Sequence, residues 1–161
     1  MFVFQVESGL LKEAEIVKAR SNDLPLKKDG WNFNWRIAFK KADSEIYILR
    51  LKKDKDKTVQ GVIQLVLLNG MISMELIEVH PSNRGKDKKF DFVSGCLIAF
   101  GCRESFKLDN EYEGYLTFES KTVLIDIYKE KYGATQTFRN KMYISPEQGI
   151  NLISKYLNHK K

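Results

Sequence analysis

Two carboxylates in one apolar strand are the residues whose placement first suggests chemistry. Glu75 and Glu78 stand in MISMELIEV, Met71–Val79, among Met, Leu, Ile and Val. Burial disfavours a charged carboxyl and raises its pKa toward the range useful to a general base. Strand residues alternate between faces, so two carboxylates three apart share a face only if a bulge intervenes. Glu78, nearer the strand end, is the preferred base, and pairing with a neighbouring Lys or Arg is the structural alternative for either. The strand then empties into HPSNRGKDKK and a helix built on small residues, GCLIAFGC from Gly95. A basic loop at a helix start is an anion site, because the amides of the first turn point outward and the helix dipole favours negative charge. This loop is poor in the glycines that a close-fitting cradle wants.

The other reactive side chains narrow the chemistry. Cys96 and Cys102 match no metal or redox spacing and read as buried, reduced thiols. His80 and His159 are too few and too scattered for a metal site, so no metal is expected. Lys and Arg number 27 against 21 Asp and Glu, a net charge of +6. Much of the excess lies in KDKDK at residues 53–57, GKDKK at 85–89 and the final Lys160-Lys161. Acidic residues interrupt these runs, which fits solvated turns; anion binding is the second reading, stronger for residues 85–89. A nucleic-acid role has only the positive balance behind it, without aromatic–basic interleaving.

The elements that must position these residues fit one domain of 161 residues, with 43% hydrophobic and 30% charged side chains. No apolar run approaches the ~20 residues needed to cross a bilayer, and the start lacks signal-peptide features. The expectation is a cytoplasmic protein without a membrane partner. Residues 2–6 alternate as a strand; Leu10, Ala14 and Val17 recur at helical spacing through residue 20. Trp31, Trp35 and Phe39 repeat every four residues and predict a second helix over 31–41 with an aromatic face. Strands follow at 45–52, 59–68 and 71–79, the last two joined by Asn69-Gly70, a strong hairpin signal. A helix then carries Leu97, Ile98, Gly101, Cys102 and Ser105 on one face. A strand at 112–119 precedes a helix whose expected buried face is Leu124, Ile127, Tyr128 and Tyr132, ended by Gly133. A strand at 137–144 leads to Ser145-Pro146-Glu147-Gln148, a helix start, with Ile150, Ile153 and Leu157 as expected core. The order βααβββαβαβα is an α/β (α+β) fold, a mixed and mostly antiparallel sheet with helices on its faces.

This pattern resembles the GNAT superfamily of N-acetyltransferases. Three local matches carry the likeness: Glu78-Val79-His80-Pro81-Ser82-Asn83-Arg84-Gly85, Gly95-Cys96-Leu97-Ile98, and Ile127-Tyr128 through Tyr132-Gly133-Ala134. The resemblance covers residues 10–144 and implies acetyl-CoA as co-substrate and a small-molecule or peptide amine as acceptor. It implies that strands 71–79 and 112–119 splay apart around the pantetheine arm, with backbone groups near Ile77 and Val79 pairing with its amides. It places the pyrophosphate loop on Lys89, Phe90, Asp91, Phe92, Val93 and Ser94, leading into Gly95, with Phe92 where glycine is usual. It implies Glu78 or Glu75 as the base that deprotonates the amine, and Tyr128 as the acid that protonates the leaving thiolate. Tyr128 is five residues before Gly133, where four is usual. The same likeness admits a GNAT-fold binding module without catalysis. The final helix is expected to cover the sheet edge or to pair two chains as a homodimer.

Overall fold

A computed structural model of the chain describes residues 1–158; His159 and the Lys160-Lys161 end lie outside the described residues. The chain opens with β1 (Phe2–Gln5) and β2 (Leu10–Lys18), followed by short 3-10 turns and one helical turn, α1 (Trp35–Ala38). Next come β3 (Ser44–Leu51), β4 (Gly61–Leu68), β5 (Met71–Val79), β6 (Phe90–Asp91) and α2 (Val93–Ser105). The remainder is β7 (Leu116–Glu119), α3 (Ile125–Tyr132), β8 (Thr135–Gln136), β9 (Lys141–Ile144) and α4 (Pro146–Leu152), which runs on into a π turn, Ile153–Leu157.

Among the described residues the strands form one sheet in the order β6-β1-β2-β3-β4-β5-β7-β9-β8. Every pairing is antiparallel except β5 with β7. The β3–β4–β5 meander is as expected from the sequence. Asn69 (φ 53°) and Gly70 (φ 79°) both take the left-handed region that a two-residue hairpin turn needs. The β5-to-β7 connection is a crossover through α2, the connection that parallel strands require.

One face of the sheet carries α2, α4 and the π turn, packed over Leu49, Ile63, Leu65, Met74 and Leu116. The other face carries the segment before β3, whose Leu24, Trp31 and Trp35 lie on Ile46, Ile48 and Val62. Residues 10–20 are therefore not the expected helix. β2 pairs with β1 through Phe2↔Glu13 and with β3 through Ala14↔Leu51, and its Ala14 and Ile16 join one core while Val17 joins the other. Pairing on both edges outweighed the helical spacing of Leu10, Ala14 and Val17. The helix expected over 31–41 shrinks to one turn, capped by Asn34 Oδ1, which accepts from the Ile37 amide at 3.2 Å. Trp31 and Trp35 are buried, and Phe39 is 40% exposed.

Two helix faces also turn from the expected ones. In α3 the buried residues are Ile125 and Tyr132, while Ile127 is 49% exposed. In the last helix Leu152, Tyr156 and Leu157 enter the core and Ile150 faces solvent. No helix of the described residues is long and apolar enough to cross a membrane.

Candidate functional site

The parallel ladder between β5 and β7 has only three pairs, Ile72↔Leu116, Ser73↔Thr117 and Met74↔Phe118. Beyond Met74 the two strands part. The His80 amide donates to the Gln60 carbonyl at 2.9 Å, so the β4-facing set in this part of β5 is His80, Glu78 and Leu76. Ile77 and Val79 then present their backbone amides and carbonyls to the gap, where the Val79 carbonyl already accepts from Arg84 Nη2 at 3.5 Å. The gap's closed end is Met74–Phe118, and its open end meets the start of α2.

That start is the loop read from the sequence as a candidate anion site. Phe92, the N-cap of α2, has φ 74° and ψ 0°. The position where glycine is usual thus takes a glycine-like conformation with a phenylalanine in it. Its ring packs 6.0 Å from Phe4 and 6.1 Å, edge-on, from Tyr156. The first helical hydrogen bond runs from the Cys96 amide to the Phe92 carbonyl. The amides of Val93, Ser94 and Gly95 have no acceptor among the described residues, the arrangement that makes a helix N-terminus bind anions. Asp91 is tied back: its Oδ1 accepts from the Phe92 amide at 2.8 Å and lies 3.6 Å from the Lys88 ammonium.

These groups line a notch of about 40 Å³ together with Val79, Lys131, Tyr132 and Tyr156. Lys89, expected to supply positive charge here, instead lies against the Phe90 ring and lines a different cavity. Lys88 and Lys131 bring the charge to the notch. Sequence reasoning missed Lys131, Tyr132 and Tyr156. Only the docking of α3 and the C-terminal π turn on α2 brings them in, and no local spacing announces it. Tyr156 lies so close to Gly95 that a Cβ there would meet the ring at 2.3 Å.

The two carboxylates are both in place, and a bulge does intervene. Register shifts where Leu65 pairs with Met74 and Gln64 with Leu76, leaving Glu75 as the extra residue. Both acids consequently engage the segment that precedes β3. Glu78, 7% exposed, accepts from the amides of Asn32 (2.6 Å) and Phe33 (3.1 Å), from Trp35 Nε1 (3.0 Å) and from Arg84 Nη2 (2.7 Å). A carboxylate offers about four acceptor positions, and Glu78 has all of them filled. Glu75 pairs with one group, the Lys41 ammonium, at a side chain 37% exposed. It directly follows Met74, where the gap begins.

Tyr128 sits across the sheet from Glu75. Its ring is 4.7 Å from that of Phe118, the β7 residue at the gap's closed end, and 6.0 Å from Tyr132. Burial raises its pKa, which keeps the phenol protonated. Tyr132 is raised by burial first and by the neighbouring Tyr156 and Tyr128 second. α3 ends at Gly133 in the left-handed conformation, φ 66°. Among the described residues no group of three or more His, Cys, Asp and Glu is placed to hold a metal ion.

The fold has counterparts among solved structures. Spermidine/spermine N-acetyltransferase SpeG from Vibrio cholerae, solved with manganese ions, superposes with a TM-score of 0.56 at 18% identity, over 92% of this chain and 98% of that one. The fold is that of the GNAT N-acetyltransferases. YhhK from E. coli, a candidate N-acetyltransferase solved with coenzyme A, shares this GNAT fold at TM-score 0.56 and 10% identity, over 83% of this chain and 98% of its own. A candidate acetyltransferase from an Exiguobacterium species matches at TM-score 0.55 and 11% identity, over 86% and 97%. No family model matches the sequence, and no curated protein matches it. The GNAT likeness is thus one of backbone and topology.

Proposed function

We propose that the protein is an N-acetyltransferase that moves an acetyl group from acetyl-CoA to a small-molecule or peptide amine. The observation that carries this reading is the gap between β5 and β7 running into the unpartnered amides of α2. The edge at Ile77 and the Val79 amide suits an amide-bearing pantetheine arm. The amides of Val93, Ser94 and Gly95, with Lys88 and Lys131, suit its diphosphate. Support for an amine acceptor comes from the carboxylate at the bulge and from the likeness in fold to SpeG.

A protonated amine is no nucleophile, so a base must take its proton. Glu75 is the better placed of the two acids, because its carboxylate is half-open and Glu78 is saturated by donors. The freed amine attacks the thioester carbonyl, the C–S bond breaks, and Tyr128 gives its proton to the departing thiolate. The addition forms a tetrahedral intermediate, and its collapse expels the thiolate that takes the Tyr128 proton.

Thermal shift with CoA and acetyl-CoA, followed by thiol release over a panel of polyamines, amino acids and peptides, tests this. A ligand at 100 times its Kd stabilises by about 2.7 kcal/mol, several degrees for a chain of this size. Glu75→Gln should lower kcat at least about tenfold with CoA affinity intact; no CoA-induced shift in the wild type sinks the proposal. The notch volume of about 40 Å³, smaller than a diphosphate, favours a second reading, a GNAT-fold binding module without transfer. CoA binding with no thiol release on any acceptor would establish that one.

A further inference from the structure

A much larger cavity than the notch at the start of α2 lies elsewhere among the described residues. About 770 Å³ of space lies at the end of the sheet where the β1–β2 hairpin, the β3–β4 connection and the loop after β5 meet. That volume is within the range of small-molecule sites. Its apolar wall is Phe2, Leu11, Leu51 and Phe90. Gln60 is 5% exposed; its Oε1 accepts from Asn83 Nδ2 at 2.9 Å, and its Nε2 has no acceptor among the described residues. Since no fully enclosed side-chain nitrogen or oxygen lacks a partner among those residues, the Gln60 Nε2 donor opens onto the cavity it lines. His80 adds a second donor. Its Nδ1 accepts from the Ser82 amide at 3.0 Å, which leaves the ring proton on Nε2. Burial, then Lys89 and Arg84, lower the His80 pKa, so at neutral pH the ring donates without carrying charge.

The charges at the rim decide what these donors await. The Asp54 carboxylate is taken by the amides of Asp56 and Thr58, and Glu13 by Lys52. Asp54 keeps its charge beneath those amides, so Asp54 and Asp56 face Lys12, Lys53 and Lys89, none of which is in a salt bridge among the described residues, and the excess is one positive charge. Convergent donors, a residual positive field and an apolar wall together select an anion with an apolar body. The wall also adjoins the α2 notch. Gln60 holds Asn83, Asn83 Oδ1 accepts from the Phe90 amide at 3.0 Å, and both Asn83 and Phe90 line the notch as well.

We propose that this cavity is a second ligand site, taking a small organic acid with an apolar body, and that Gln60–Asn83–Phe90 couples it to the start of α2. The site is independent of acetyl transfer and is testable without it. In a ¹H–¹⁵N NMR titration, millimolar 3-phenylpropionate should shift the Gln60 side-chain amide and the Thr58 and Ser82 amides, then those of Phe90 to Gly95. Matched 3-phenylpropylamine and inorganic phosphate should leave them in place. Gln60→Glu keeps the oxygen that Asn83 needs and replaces the donor with a carboxylate. It should weaken the acid at least about tenfold. Lys53→Ala, at an exposed position, should weaken it a few-fold. No shift with the acid, an equal response to the amine, or undiminished affinity in Gln60→Glu overturns the site. Shifts confined to the cavity, without Phe90 to Gly95, overturn the coupling.

Discussion

Phe92 occupies a backbone conformation that disfavours every side chain it could carry, by about 1–2 kcal/mol for an ordinary residue. It is kept there by ring contacts to Phe4 and Tyr156 and by the Asp91 carboxylate on its amide. Phe92→Gly relieves the strain and removes the contacts, so its stability should stay within about 1 kcal/mol of wild type. Phe92→Val keeps the strain and loses the contacts, and should destabilise by about 1–2 kcal/mol in urea titrations. A fully stable valine variant would overturn this account of the loop. Glu78 is the residue-scale counterpart on the opposite sheet face. Glu78→Ala strands four donors, two of them amides of the segment before β3, and should lower stability by about 2–4 kcal/mol. An alanine variant as stable as wild type would show that the carboxylate holds nothing.

At the scale of elements, the C-terminal helix and its π turn bring Tyr156 to the notch. Gly95 lies under Tyr156 because any side chain there would occupy the ring's place. Gly95→Ala must push the ring out of a buried site, an overpacking penalty of about 1–3 kcal/mol. Removing the ring first should erase most of that penalty. A double-mutant cycle of Gly95→Ala with Tyr156→Ala should therefore show a coupling above about 1 kcal/mol, whereas strict additivity would mean the two do not meet.

For the whole molecule, two buried thiols set the alkaline limit. Burial pushes Cys96 and Cys102 from 9.0 up to about 12. A folded-state pKa above the unfolded one means that the unfolded chain gives up protons first. The contribution is complete below pH 9 and is lost as pH rises toward 12, by about 1.4 kcal/mol per pH unit for each thiol. Buried Tyr128 and Tyr132, raised in the same direction, steepen the fall above the ordinary tyrosine range. Stability measured from pH 8 to 11 should drop accordingly, and the Cys96→Ala, Cys102→Ala double variant should drop less steeply. Equal slopes in the two proteins would contradict the assignment.

What the sequence determined by itself is what local chemistry controls. The Asn69-Gly70 turn, the meander it joins, the Gly133 helix end, and the Ser145 cap, whose Oγ accepts from the Gln148 amide at 3.3 Å, all follow from residues a few positions apart. The strand, loop and helix from β5 to α2 were legible for the same reason. The tertiary structure alone decided the rest. Leu10, Ala14 and Val17 carry a helical spacing, yet they form a strand because β1 and β3 both offer edges to pair with. The bulge that turns Glu75 and Glu78 to one face comes from register with β4, which no spacing within β5 encodes. The Phe92 conformation depends on Phe4 and Tyr156, distant in sequence, and the notch gains Lys131, Tyr132 and Tyr156 through helix docking. Short-range hydrogen bonding is written in neighbouring residues; pairing and packing across the sheet are settled only when remote segments compete for the same edge or face.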